Sequence, residues 1–68
     1  MIMGHRLDNL QTERLNAGYG ITRLAQLANA SDWLIKVLEN GGVCARHEAQ
    51  RIADALGVTL VTLGDAEQ

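Results

Sequence analysis

Hydrophobic residues recur every three or four positions along most of the chain, which is the spacing of an amphipathic helix. In the clearest segment, residues 46–56, one face carries apolar residues at positions i, i+3, i+4 and i+7: Ala49, Ile52, Ala53 and Leu56. Polar residues occupy the other face, and Gly57 follows with the backbone freedom that ends a helix. The pattern predicts a helix over residues 46–56.

The first two helices of the chain are predicted over residues 6–29. Residues 6–17 carry a stripe made of Leu7, Leu10, Arg14 and Leu15 and end at Gly18-Tyr19-Gly20. Residues 21–29 form a shorter segment whose apolar face consists of Leu24, Leu27 and Ala28, with the small Ala25 beside them. We therefore expect helix one over 6–17 and helix two over 21–29.

A tight turn and a third helix follow. Asn29 tolerates the left-handed backbone conformation, and the Ser31 hydroxyl can cap the next helix. Helix three is predicted over residues 32–39, because Asn40-Gly41-Gly42 then breaks the pattern. Residues 58–63 alternate in a way that permits a strand, but a helical domain offers no strand partner, so we predict a short fifth helix there and a frayed tail after Gly64.

Composition limits the fold class. The chain has 68 residues, of which 47% are hydrophobic, with no Phe, one Trp and one Tyr. Such a core is built from Leu, Ile, Val and Ala, which suits short packed helices. We expect one all-α domain over residues 1–68, a compact arrangement of four to five helices with its core at about residues 6–63.

Charge and cysteine usage narrow the function classes. A single Cys44 allows no internal disulfide, and no apolar run marks a signal peptide or a membrane span, so a cytoplasmic protein without membrane contact is expected. The formal net charge of -2 is unusual for a protein that binds nucleic acid. Local placement matters more than the total, and Asp65 and Glu67 lie in the predicted tail.

Helix two, the turn and the capped helix three together have the pattern of a helix-turn-helix. The residues that form this pattern are Leu24-Ala25, Asn29, Ser31, Ile35 and the run Leu38-Glu39-Asn40-Gly41. In spacing and residue type they resemble the helix-turn-helix of the phage repressor and Cro family (lambda-repressor-like). Residues 51–58 resemble that family's fourth helix and the turn after it, so the resemblance covers about residues 6–63.

The resemblance implies a DNA-binding transcriptional regulator, such as a repressor, in a bacterial or phage-infected cell. Helix three would enter the major groove of an operator, and its base-contact candidates are Ser31, Asp32, Trp33, Lys36 and Val37. The candidates for phosphate contact are Thr22, Arg23, Asn40, Gly42, Arg46 and His47. The family often has a polar residue where Ile21 stands, so Thr22 and Arg23 are expected to take over that contact.

The resemblance also implies a structural ion pair between Arg14 on helix one and Glu39 at the end of helix three. An inward-facing charge requires such a partner. A homodimer is expected because one domain contacts only a half-site. Its contact patch would be Leu60, Val61 and Leu63, unless these residues close the core against helix one.

Other functions remain open. The fold can serve as a protein-interaction or assembly module with Trp33 at the interface. An antitoxin that binds both a toxin and its operator would need two surfaces on a short chain. Enzyme chemistry, cofactors and metals are not expected, because His5 and His47 are far apart in sequence and Cys44 with His47 supplies only two potential ligands.

Overall fold

Within residues 4–67, four helices and two short strands make up the fold. The computed structural model describes residues 4–67. In chain order the elements are β1 (His5–Leu7), α1 (Leu10–Asn16), α2 (Ile21–Ala28), α3 (Asp32–Glu39), α4 (Arg46–Leu56) and β2 (Asp65–Glu67). The protein is therefore mostly helical with little strand, and residues 1–3 and Gln68 lie outside the described part.

The core is assembled from one apolar face of every helix. Its largest fully buried side chains are aliphatic: Leu7, Leu10, Leu24, Ile35, Leu38, Ile52 and Leu63. Small residues lie where the helices approach each other, and Ala25, Ala49 and Ala53 are each no more than 1% exposed. α2 packs against both α3 and α4, because these alanines let the helix axes come close.

The start of the chain is a strand rather than the beginning of helix one. His5–Leu7 pairs antiparallel with Asp65–Glu67, with His5 opposite Glu67 and Leu7 opposite Asp65. α1 therefore begins at Leu10 and not at residue 6. The prediction of a frayed tail after Gly64 is wrong for residues 65–67, and the tail residue Gln68 lies outside the described part.

The predicted fifth helix is also wrong. Gly57 ends α4 with a left-handed φ of 71°, and residues 60–64 form a series of turns. The backbone carbonyl of Leu63 accepts a hydrogen bond from the Asn9 amide at 2.8 Å. The Leu63 side chain is fully buried, so it closes the core and cannot belong to the predicted dimer patch, whereas Val61 is 84% exposed.

Two leucines depart from the predicted apolar faces. Leu15 is 59% exposed and Leu27 is 42% exposed, because the inward faces of their helices are occupied by Leu10 with Arg14 and by Leu24 with Ala28. The described helices are short, and none has the length and apolar character needed to cross a bilayer.

Candidate nucleic-acid interface

α2 and α3 are joined by a three-residue turn with defined local chemistry. Asn29 adopts a left-handed φ of 56°, which its short polar side chain tolerates. The Ala30 amide then donates to the Ala25 carbonyl at 2.8 Å. The Ser31 hydroxyl accepts from the Leu34 amide at 3.0 Å and so caps α3. The turn thus fixes the direction in which α3 leaves α2.

α3 has one buried face and one exposed face. Ile35 and Leu38 are at most 2% exposed, whereas Trp33 is 70% exposed, and Lys36 also lies at the surface. Val37 is half-buried rather than fully outward. A Cβ atom on Gly42 would collide with the Val37 side chain and lie 2.9 Å from the Val37 carbonyl oxygen, so the chain folds closely against Val37 after α3.

The first turns of α2 and α3 lie side by side. The Thr22 hydroxyl donates to an oxygen of the Asp32 carboxylate at 2.6 Å, and both residues are exposed. The starts of α2 and α3 are therefore close together, and the free amides at a helix start favour an anion. The Asp32 carboxylate lies between them and can also accept a hydrogen bond from a base amino group.

Some of the predicted phosphate contacts are already engaged within the chain. The Gly42 amide donates to the Val37 carbonyl at 2.9 Å, so it would have to leave this bond to contact a phosphate. The Asn40 side-chain amide donates to the Lys36 carbonyl at 2.9 Å but remains exposed. Arg23 lies on the exposed face of α2 and has no carboxylate within 4 Å among the described side chains.

A shallow groove runs along the outward face of α4. It has a volume of about 530 Å³ and is lined by Arg46, His47, Gln50 and Arg51; we call it the α4 groove. Sequence reasoning proposed only the first two of these residues. Spacing could have identified the other two, since residues four apart on a helix share a face. Gln50 is four residues after Arg46, and Arg51 is four residues after His47.

Charge is distributed unevenly along the chain. Residues 21–56 carry four basic and four acidic residues, and the remainder carries two basic and four acidic residues, so the entire net charge of -2 lies outside α2, α3 and α4. In this segment all four carboxylates, on Asp32, Glu39, Glu48 and Asp54, accept a side-chain or backbone hydrogen bond. Four cations have no carboxylate partner among the described side chains: Arg23, Lys36, Arg46 and Arg51.

Arg14 and Glu39 form a buried ion pair beneath this surface. The guanidinium donates from Nε at 2.6 Å and from Nη2 at 3.0 Å to the two carboxylate oxygens, and both side chains are 8% exposed. The hydrogen bonds to Glu39 hold the pKa of Arg14 above its ordinary value. Arg14 Nη1 also donates to the Tyr19 carbonyl at 3.0 Å, so the pair links the end of α3 to the α1–α2 connection.

A second polar cluster lies where the strands meet the α3–α4 loop. His5 Nδ1 and Asp65 Oδ1 are 2.8 Å apart, and the His5 and Cys44 backbones exchange two hydrogen bonds. Burial raises the pKa of the Cys44 thiol to about 11, and the carboxylates of Glu48 and Asp65 add to the shift. The thiol is therefore protonated at neutral pH and is not an activated nucleophile.

The two potential metal ligands of the α3–α4 region differ in exposure. Cys44 is buried, whereas His47 is at the surface. Among the side chains that the structure describes, no group of three or more His, Cys, Asp or Glu residues is placed to hold a metal ion.

Comparison with known proteins returned no match. No protein-family model, curated protein or solved structure is similar enough to this chain to assign it to a family.

Proposed function

We propose that the chain is a DNA-binding transcriptional regulator. In this proposal α2 and α3 form a helix-turn-helix, and α3 enters the major groove of an operator. The site of action is the cytoplasm of a bacterial or phage-infected cell. Support comes from the short capped turn between the two helices and from the side-by-side starts of α2 and α3.

The observation that carries the proposal is the contrast between the two faces of α3. Ile35 is fully buried while Trp33, two residues earlier, is 70% exposed. An α-helix is about 10–12 Å across with its side chains, and the major groove of B-DNA is about 12 Å wide. A helix held to the body by one face and open on the other is the shape that major-groove reading requires.

Base contacts in this proposal come from the first two turns of α3. Trp33 and Lys36 reach furthest, the former toward thymine methyl groups and the latter toward guanine acceptors. The Asp32 carboxylate accepts a hydrogen bond from a cytosine amino group, while the Thr22 hydroxyl donates to the same carboxylate and keeps it in place. Ser31 uses its hydroxyl to cap α3, so its contribution is to fix the helix start.

Phosphate contacts come from cations that no described carboxylate neutralises. Arg23 lies at the start of α2 and Arg46 at the start of α4, so they are placed at different points around α3. His47 is exposed beside Arg46 and adds a hydrogen-bond donor. These contacts are sequence-independent, and the counterions they release make binding sensitive to salt.

Two copies are proposed to read a two-fold operator, since one α3 covers one half-site. Val61 remains the candidate at the dimer contact because it is 84% exposed. Leu60 is partly buried against the core and would lie at the edge of such a patch.

A protein-interaction module is the second candidate function, and the exposure of Trp33 favours it. A large exposed aromatic side chain is typical of the centre of a protein interface. This function requires no cations around α3, so the two candidates differ in how binding depends on salt.

The proposal is tested by fluorescence anisotropy with a labelled mixed-sequence duplex. With two charged phosphate contacts, Arg23 and Arg46, the slope of log affinity against log salt is about -1.8, so a fourfold rise in salt weakens binding about 12-fold. Arg23→Ala and Arg46→Ala should each lower affinity about equally for all sequences. Arg6→Ala is the matched control, since it removes the same charge from a residue paired with Asp8 at 3.0 Å. Absence of binding at low salt and high protein concentration contradicts the proposal.

A further inference from the structure

None of the four residues that line the α4 groove is acidic, and each carries a hydrogen-bond donor at the end of its side chain, although most of the lining surface is apolar. Arg46 and Arg51 contribute two guanidinium groups, His47 an imidazole, and Gln50 a side-chain amide. Asp54, four residues after Gln50 on α4, accepts a hydrogen bond from Gln50 Nε2 at 3.0 Å and keeps its negative charge. Such a lining complements a ligand that presents several negatively charged oxygens.

Among these four side chains, Arg51 has a hydrogen bond to a different helix. Its Nε donates to the Ala28 carbonyl at 3.2 Å, and Ala28 is the last residue of α2. The bond satisfies a carbonyl at the end of α2 and anchors the guanidinium there. Its two terminal nitrogens donate to no protein atom in the described part of the chain, so they are available for a pair of phosphate oxygens.

The hydrogen bond from Arg51 to Ala28 also limits how far this end of the α4 groove can lie from the start of α3. Ala28 and Asp32, the first residue of α3, are four residues apart, so their Cα atoms are separated by at most about 14 Å. Phosphates flank the major groove, which is about 12 Å wide. In the proposed complex, with α3 in the major groove, the anchor of Arg51 at Ala28 would lie no further from the start of α3 than about one major-groove width.

We propose that the α4 groove binds the sugar-phosphate backbone of the same duplex, with Gln50 and Arg51 as phosphate contacts beyond Arg46 and His47. The inference rests on the proposed function and extends it by a second backbone contact one helical turn further along α4. An open groove suits this ligand. A small-molecule site usually encloses about 70–90% of its ligand, whereas a phosphate backbone passes across an open surface.

The test compares Arg51→Ala with unaltered protein in anisotropy titrations against the same duplex at several salt concentrations. Loss of one phosphate contact reduces the magnitude of the slope of log affinity against log salt by about 0.9. We expect a roughly tenfold loss of affinity at low salt, independent of sequence. Arg51→Lys keeps the charge but not the bidentate geometry, so it should retain the slope and lose part of the affinity.

Controls separate this inference from the function on which it rests. Arg6→Ala changes the net charge equally and should leave both slope and affinity unchanged. Gln50→Ala removes a donor without a charge and should weaken binding while preserving the slope. Thermal melts verify that each variant is folded. Normal binding by folded Arg51→Ala and Gln50→Ala overturns the inference alone, whereas failure of the unaltered protein to bind duplex overturns the proposed function and the inference together.

Discussion

The guanidinium of Arg14 and the carboxylate of Glu39 meet in a two-point ion pair, with Nε and Nη2 at 2.6 and 3.0 Å from the two oxygens. The contact joins residues 25 positions apart on α1 and at the end of α3. Because both side chains are only 8% exposed, water has little access to either charge. The orientation of α3 therefore depends on a contact below its exposed face.

Removing one partner of this pair should destabilise the protein severely. We expect Glu39→Ala to lower the free energy of unfolding by roughly 3 to 5 kcal/mol, because the Arg14 charge is left buried and unpaired. This is comparable to the total stability that a core of this size supplies, about 3 to 5 kcal/mol. Urea denaturation followed by circular dichroism measures the change.

The double variant Arg14→Met with Glu39→Leu serves as the control for the pair. Replacing a buried ion pair by apolar residues is often close to neutral in stability, so this variant should be much more stable than Glu39→Ala. A single variant that unfolds like the unaltered chain would show that the pair contributes little.

Cys44 should make stability depend on alkaline pH. Its folded-state pKa of about 11 lies above the ordinary value of 9.0, so the folded state keeps a proton that the unfolded state loses. Below pH 9 the thiol is protonated in both states and does not change the free energy of unfolding. As the pH rises from 9 to 11, the free energy of unfolding falls by roughly 2 to 3 kcal/mol. Urea denaturation between these pH values measures it.

Cys44→Ala is the comparison for this effect. The variant removes the titrating thiol, so its stability should fall less steeply over the same pH range, after correction for any constant loss from the smaller side chain. Parallel curves for the two proteins would show that the thiol is not protected by burial.

Asp65 should stabilise the contact between the two ends of the fold. Asp65→Ala leaves the buried His5 ring without its partner at 2.8 Å, and we expect a loss of about 1 to 3 kcal/mol. For a domain of this size each 1 kcal/mol corresponds to about 4–8 °C in Tm, so a thermal melt detects it. Asp8→Ala, which breaks the exposed pair with Arg6, should change Tm little. Equal shifts for both variants would refute the special role of Asp65.

Trp33 should matter for binding and not for folding. With 70% of the side chain exposed, Trp33→Ala should change the free energy of unfolding by no more than about 0.5 kcal/mol. Duplex affinity should fall about tenfold, which corresponds to about 1.4 kcal/mol. Leu15→Ala, an exposed apolar residue on α1, is the control and should alter neither quantity. Unfolding of the Trp33 variant would place its ring in the core.

The helical part of the fold follows from local patterns. α3 and α4 have the predicted bounds, and α2 ends one residue earlier than predicted, at Ala28, because apolar spacing, Ser31 and Gly57 all act within a few residues. The two strands could not be predicted this way. Each has three residues, and their partners are about 60 positions apart, so no local period reports the pairing.

The candidate surface was predictable only in part. Exposure of Trp33 followed from the helical spacing of Ile35 and Leu38 beneath it. The engagement of the Gly42 amide and the Arg51–Ala28 bond depend on how separate elements pack. Such tertiary contacts leave no trace in the periodicity of a single segment.

Because β1 and β2 are antiparallel neighbours, His5 lies opposite Glu67 and the polypeptide enters and leaves the fold at one edge. A few added residues would suffice to join these positions, since paired strands are about 5 Å apart. The exposed turn at Gly18 could then be opened without cutting a helix or a strand. Circular permutation of this chain is therefore geometrically feasible. The same proximity of residues 5 and 67 suits insertion of the domain into a loop of a carrier protein.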